Sequence, residues 1–302
     1  NLGTGSLTRT DFLAIAAGTT SGVLVGAAMV ATRFVIAETD PASLALLRYT
    51  IGTLGLIPPY LILRRVRFER SDLLPIALLG IGQLGILIAL LNYGLQFISS
   101  GLGALLFATF PMMTMVLAAT LRLEALTLTK TVGVMLSIVG VGFAVSDNID
   151  LPEQIAGFWP GVLAVLGSAL TGAICSVFYR PYLQKYPPLQ VSVFAMLASV
   201  VFLAFPAAGE GFFNTPPSFT LAGWLAVLFI GLASSLGYYT WLYALKHATP
   251  TRVALFLSLG PVVATAFGST LLGETVSAVF LMGLATVIAG LWIAHIDSNP
   301  AR

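Results

Sequence analysis

Ten stretches of about 20 mostly apolar residues follow one another along the chain, roughly at 11–33, 42–63, 73–97, 101–121, 127–146, 159–180, 189–207, 219–245, 251–272 and 276–296. About 20 such residues are what a helix needs to cross ~30 Å of hydrocarbon at ~1.5 Å per residue. Composition agrees. Hydrophobic types make up 58% of the 302 residues and charged types only 9%, against about 25% charged in a soluble domain. Such a chain cannot cover a water-facing surface, which excludes a soluble enzyme and a disordered protein. The net charge of +2 leaves no basic patch for a phosphate backbone, so no nucleic-acid partner is expected. A single cysteine, Cys175, rules out an internal disulfide and a cysteine-ligated zinc site. The sequence predicts an all-α polytopic membrane protein, with the lipid bilayer as its first partner and no metal or cofactor.

Punctuation between the stretches is short. Glu38-Thr39-Asp40-Pro41 is one break, the run from Arg64 to Arg70 is the most charged, and the two long loops are 147–160 and 208–218. The first stretch is too long for a cleavable signal and reads as part of the bundle. Orientation follows from Lys and Arg. With ten crossings, one side holds Arg9, Arg64, Arg65, Arg67, Arg70, Arg122, Lys130, Arg180, Lys185, Lys246, Arg252 and Arg302, which is 12 of the 14 basic residues. The other side carries Asp147, Asp150, Glu153 and Glu210. Both termini are expected in the cytoplasm.

Shifted by 150 residues, the chain matches itself. Tyr93/Tyr243, Leu95/Leu245, Ala104/Ala254, Leu105/Leu255, Pro111/Pro261, Thr120/Thr270, Leu121/Leu271, Glu124/Glu274, Gly133/Gly283, Ile138/Ile288, Gly140/Gly290 and Ala144/Ala294 give 12 identities over positions 93–144. Chance in so Leu/Ala/Gly-rich a chain gives roughly 4, so the match reads as an internal repeat. The register also holds at Leu13/Leu163, Ala14/Ala164, Gly22/Gly172, Ala45/Ala195 and Leu47/Leu197. The repeats are 1–150 and 151–302, with five helices each. Five is odd, so the second half enters the membrane from the opposite side. Such 5+5 inverted repeats around a central cavity suit alternating access.

Both halves carry Pro-x12-Glu-x8-Gly-x6-Gly: Pro111, Glu124, Gly133, Gly140, then Pro261, Glu274, Gly283, Gly290. With ten helices over the whole chain, this pattern resembles the EamA-type branch of the drug/metabolite transporter superfamily, and most of all its bacterial exporters of amino acids, aromatic ones included. The resemblance implies export of a small metabolite through a central cavity, in a bacterial inner membrane, by a monomer or weak homodimer. It leaves the substrate open, since the superfamily also carries drugs, nucleotide sugars and sugar phosphates.

Substrate sites in carriers of this kind lie near the membrane midplane, where polar side chains are expensive and informative. At helix midpoints stand Thr20 and Ser21, Gln83, Met112, Thr171, Ser234, and Tyr238 with Tyr239. Gln83 leads these substrate-binding candidates, because an amide both donates to a carboxylate and accepts from an ammonium. Set against that is an interhelical hydrogen bond that only packs the bundle. The hydroxyls of Thr20, Ser21, Thr171 and Ser234 can bond their own helix carbonyls instead, and Met112 can simply fill core. Trp241 and Tyr243 are expected at the interface, with Tyr238 and Tyr239 deeper. Pro111 and Pro261 are expected mid-helix, as kinks, and with the repeat-matched Gly22 and Gly172 they are the candidate hinges. The small-residue stripe Gly133, Ser137, Gly140, Ala144 and its repeat Gly283, Gly290, Ala294 are packing faces or a dimer contact. Glu124 and Glu274 are expected to stabilise the N-termini of the fifth and tenth helices. Arg48 is expected to snorkel outward or to pair with Glu38 or Asp40, on a peripheral helix.

Rival classes lack their signatures. His-Glu-x-x-His is absent, as are paired intramembrane aspartates, so no enzyme is expected. Nothing resembles a selectivity-filter loop. With no carboxylate or histidine at mid-membrane, the expected mode is facilitated diffusion or exchange of a zwitterion. A proton-coupled drug or metabolite efflux carrier is the alternative, and a channel-like pore stands further off.

Overall fold

The computed structural model describes residues 9–62, 66–123, 125, 127–147, 155–247, 253, 256–257 and 259–296. Every regular element among them is helical. They are α1 (Arg9–Val35), α2 (Pro41–Ile62), α3 (Arg70–Gly80), a π-helical turn (Ile81–Ile86), α4 (Leu87–Leu95), α5 (Ser100–Phe107), α6 (Phe110–Thr120), α7 (Leu128–Ser146), α8 (Ile155–Lys185), α9 (Pro188–Gly209), α10 (Leu221–His247), α11 (Leu259–Leu271) and α12 (Ala278–Ile296). Helix is the form that satisfies backbone N–H and C=O groups without water. Eight helical runs are long and apolar enough to cross a membrane, among them Arg70–Leu95 and Ser100–Thr120, each built from two α-helical pieces. The apolar helices Leu259–Leu271 and Ala278–Ala294 are shorter. The surface is apolar too: Leu163, Phe205 and Trp292 point outward, 65–74% exposed.

Glycines set the crossings by letting backbones touch. A methyl on Gly22 would lie 2.0 Å from the Phe256 carbonyl, and one on Gly26 2.5 Å from that of Gly260, where α1 crosses α11. The most extensive seam joins α7 and α12. Methyls on Gly133 and Gly140 would lie 2.4 Å and 2.7 Å from the Gly290 and Gly283 carbonyls, and the Ser137 hydroxyl donates to the Val287 carbonyl at 3.4 Å. These helices run antiparallel: 133 meets 290 while 140 meets 283. The two small-residue stripes of the sequence therefore face each other within one chain, and neither is left free as a dimer contact.

The π turn has a packing cause. Gly80 meets Ala195 and Gly85 meets Phe202, both on α9. Five residues make about one turn of a π-helix but about 1.4 turns of an α-helix, so only the wider turn points both glycines at one neighbour.

Contacts at the helix ends define two faces. One, the acidic end, gathers 36–43, 96–101, 147, 209–223 and 272–277. There Glu210 accepts from the N–H groups of Ala42 (2.9 Å) and Ser43 (2.7 Å) and from the Ser43 hydroxyl (2.7 Å). Glu274 accepts from the Ser100 N–H (2.8 Å), the Ser100 hydroxyl (2.7 Å) and the Gly101 N–H (3.3 Å). Glu274 thus caps a helix start, as expected of it, but that of α5 rather than of the last helix; Glu124 lies outside the described residues. Glu38 accepts from the Thr220 N–H (3.0 Å), and the Ser277 hydroxyl donates to Asp147 (2.5 Å). At the opposite, basic end, Asp72 accepts from Tyr186 Oη (2.7 Å) and Lys185 Nζ (3.1 Å). Gln190 there bonds both the N–H and the carbonyl of Val66.

Candidate functional site

Three helix midpoints meet around a central cavity of about 80 Å³. Ser21 sits halfway along Arg9–Val35, Gln83 halfway along Arg70–Leu95 and Ser234 halfway along Leu221–His247. All three line the cavity with Tyr238. At one water per ~10–15 Å³ of such volume, it has room for several waters or a compact solute.

The polar wall is partly satisfied. The Ser21 hydroxyl donates to the Gly237 carbonyl at 3.0 Å, and Tyr238 donates to Tyr179 Oη at 2.7 Å. Ser234 donates to the Ile230 carbonyl and accepts from Arg48 Nε at 2.5 Å. Gln83 differs: its Oε1 is buried and has no hydrogen-bond partner. It stands in the π turn, a geometry frequent at functional sites.

The other sequence candidates lie elsewhere. Thr20 is exposed, one residue and about 100° of helix away from Ser21. Thr171 donates to the Gly167 carbonyl at 2.8 Å on its own helix. Met112 is packed in the core. Tyr239 is half-buried against Tyr243, with ring centroids 6.4 Å apart. Gly22 is pressed on the Phe256 carbonyl, and a methyl on Gly172 would lie 2.4 Å from the Phe110 ring, so both are tight contacts. The prolines do not kink a helix in its middle. Pro111 falls in the first turn of α6 and Pro261 is the third residue of α11. First-turn N–H groups lack intrahelical partners, so proline loses nothing there. The fourth stretch is broken at Ala108–Thr109, where Thr109 gives both its N–H (3.1 Å) and its hydroxyl (2.7 Å) to the Leu106 carbonyl. That break turns Phe107 and Phe110 onto the cavity, their rings stacked 5.7 Å apart.

Arg48 is the largest departure from expectation. It neither snorkels outward nor pairs with Glu38 or Asp40. It is 6% exposed and lines the cavity. The cause is the placement of α2, which packs against both α9 and α10 rather than at the periphery. The long side chain then reaches from the outer third of α2 to Ser234 at the middle of α10. Trp241 is likewise internal, stacked on Tyr238 with centroids 6.0 Å apart. Phe107 and Phe110 had a readable signal, aromatic bulk close to the midplane; Trp241, expected at the interface, and the tyrosine pair 179–238 needed the fold.

An apolar helical bundle around a mid-bundle cavity, mostly apolar with a few convergent polar groups, is the architecture of a membrane transport protein. The chain belongs to the EamA-like transporter family, whose pattern matches residues 12–146 and again 159–295. An uncharacterized transporter of Archaeoglobus fulgidus is 26% identical over 269 residues, covering 89% of this chain and 93% of that one. A probable terminal-alkyne amino-acid exporter of Streptantibioticus cattleyicolor is 29% identical over 257 residues, 84% of each chain. A solved crystal structure, 21% identical, shares the fold at a TM-score of 0.74 over 94% of this chain and 98% of that one.

Proposed function

We propose that the protein exports small zwitterionic metabolites, amino acids including aromatic ones, by alternating access between inverted halves 1–150 and 151–302. The observation that carries this reading is the midplane cavity, where an unpartnered amide and a set of hydroxyls share a wall with aromatic rings. The exporter named among its relatives supports the same class of cargo. Ten crossings in a 5+5 arrangement are supported by the α7–α12 seam. In it, residue 133 meets 290, the repeat partner of 140, and 140 meets 283, the repeat partner of 133. Such an exchange is what a two-fold axis crossing two antiparallel helices produces, which supports an axis lying in the membrane plane. The basic bias of the loops supports cytoplasmic termini in a bacterial inner membrane. Cysteines placed between Asp147 and Ile155 should then be labelled only from outside.

No Asp, Glu or His lines the cavity among the described residues, which supports exchange or facilitated diffusion over proton coupling. In proteoliposomes carrying a pH gradient and equal substrate on both sides, no net accumulation is expected. Substrate trapped on the opposite side should stimulate uptake. Gln83→Ala and Tyr238→Ala should each reduce this flux with the protein still present in normal amount. Accumulation driven by the pH gradient would instead favour a proton-coupled efflux carrier.

A further inference from the structure

The cavity holds one full positive charge that nothing in the described chain neutralises. Arg48 is buried to 6% exposure. Its side-chain contacts are the Nε bond to Ser234 and the Tyr49 ring, whose centroid lies 5.9 Å from the guanidinium carbon. The ion pairs of Lys185 with Glu69 and Asp72 stand at the basic end. A guanidinium has five N–H donors, and here one is used. Burying a charge without a counter-charge is among the costliest arrangements in a protein, and in lipid-embedded bundles such residues mark the path of the cargo. On the same cavity wall, Gln83 Oε1 is a buried acceptor with no donor. The site therefore lacks one anion and one donor.

We infer that Arg48 anchors the carboxylate of the transported amino acid while Gln83 accepts from its ammonium group, and that the Arg48 charge bars organic cations from the cavity. This rests on the amino-acid reading above and sharpens it to a specificity residue. A carboxylate accepts two parallel N–H bonds from a guanidinium and cancels its charge. A phosphate would leave surplus negative charge, because Arg48 is the one Arg or Lys on the wall among the described residues. A simple carboxylic acid would cancel the charge but leave Gln83 orphaned. An amine without a carboxylate meets like charge in a desolvated site. Phe107, Phe110, Tyr238 and Trp241 supply the face for the apolar part.

The test uses three probes that differ by one group: L-phenylalanine, phenethylamine, which lacks the carboxylate, and 3-phenylpropionate, which lacks the ammonium. Each competes for L-phenylalanine counterflow in proteoliposomes of the full chain. Wild type should prefer L-phenylalanine to phenethylamine by about 100-fold, with 3-phenylpropionate between them. Arg48→Gln should weaken L-phenylalanine by about 100-fold and collapse its preference over phenethylamine. Arg48→Lys, which keeps the charge but not the fork, should retain the preference at reduced affinity. A merely structural arginine would lower uptake of all three probes alike and leave their ratio unchanged. If Arg48→Gln fails to fold, the wild-type ratio and the Arg48→Lys ratio still decide. Wild type that takes phenethylamine as readily as L-phenylalanine, or an Arg48→Gln ratio like that of wild type, would overturn the inference and leave transport standing. Wild-type proteoliposomes that move no amino acid would sink both.

Discussion

At the acidic end, Glu38, Glu210, Glu274 and Asp147 each reach a segment more than 120 residues away and bond its backbone N–H or hydroxyl groups. At the basic end, the fastening is the Asp72–Lys185–Tyr186 cluster plus the amide of Gln190 on Val66. The two differ in kind. A carboxylate seated on the first N–H groups of α2 or α5 fills donors that a helix start leaves open, and it meets the positive end of the helix dipole. Its partner is backbone, fixed in place and not exchangeable for a counter-ion. Lys185 is a long side chain, half-exposed, whose pairing costs rotamer freedom and is screened by salt. In this conformation the acidic end is held by carboxylates at four points, the basic end by the Gln190–Val66 pair and an Asp72 cluster whose lysine arm solvent can loosen.

The largest effect should come from the seam that both ends depend on. Gly140→Leu places a side chain where a single methyl already lies 2.7 Å from the Gly283 carbonyl. It should cost about 3 kcal/mol or more, read as loss of monodisperse protein in detergent whichever end is probed. Next are the acidic ties. Glu210→Ala and Glu274→Ala should each cost about 2 kcal/mol, since each strands three donors. They should also speed labelling of Ala28→Cys, a cavity-wall position on α1, by an impermeant thiol reagent added on the acidic side. Unchanged labelling with both ties removed would mean that they do not hold that end closed. Asp72→Asn should have the smallest effect. Its drop in melting temperature should shrink further in 1 M salt, whereas the drop from Glu274→Ala should persist, and equal salt sensitivity would erase the contrast.

Depth in the membrane was legible and direction was not. Counting residues at ~1.5 Å each finds the middle of a helix, and it singled out Ser21, Gln83, Ser234 and Tyr238, all of which line the cavity. The same count cannot tell Ser21 from Thr20, or Tyr238 from Tyr239, because neighbours at equal depth point about 100° apart. Nearly uniform apolarity around each helix hides which side is buried, so periodicity does not help. Arg48 escaped for a related reason. Its Cα is shallow, and only the position of α2 against α10 shows where a long side chain ends. The break before Pro111 was hidden because Phe107-Ala108-Thr109-Phe110 reads as uninterrupted apolar helix. The paired stripes on α7 and α12 were visible as stripes, while their mutual contact belongs to the fold.

The π turn at Ile81–Ile86 gives this helix an unusual response to a change in length. An ordinary helix that loses one residue rotates everything beyond the cut by about 100° and shortens by ~1.5 Å. Here, deleting one residue within the turn would let the backbone relax into continuous α-helix. Four α-helical residues make about 1.1 turns, close to the single turn that five residues make in the wider form. Gly85 would therefore stay on Phe202 and Gly80 on Ala195, and Leu87, Ile88 and Leu91 would keep facing the cavity. The extra residue is local slack: it enlarges the one turn that carries Gln83 and leaves the indexing of both flanking helices as it would be without it.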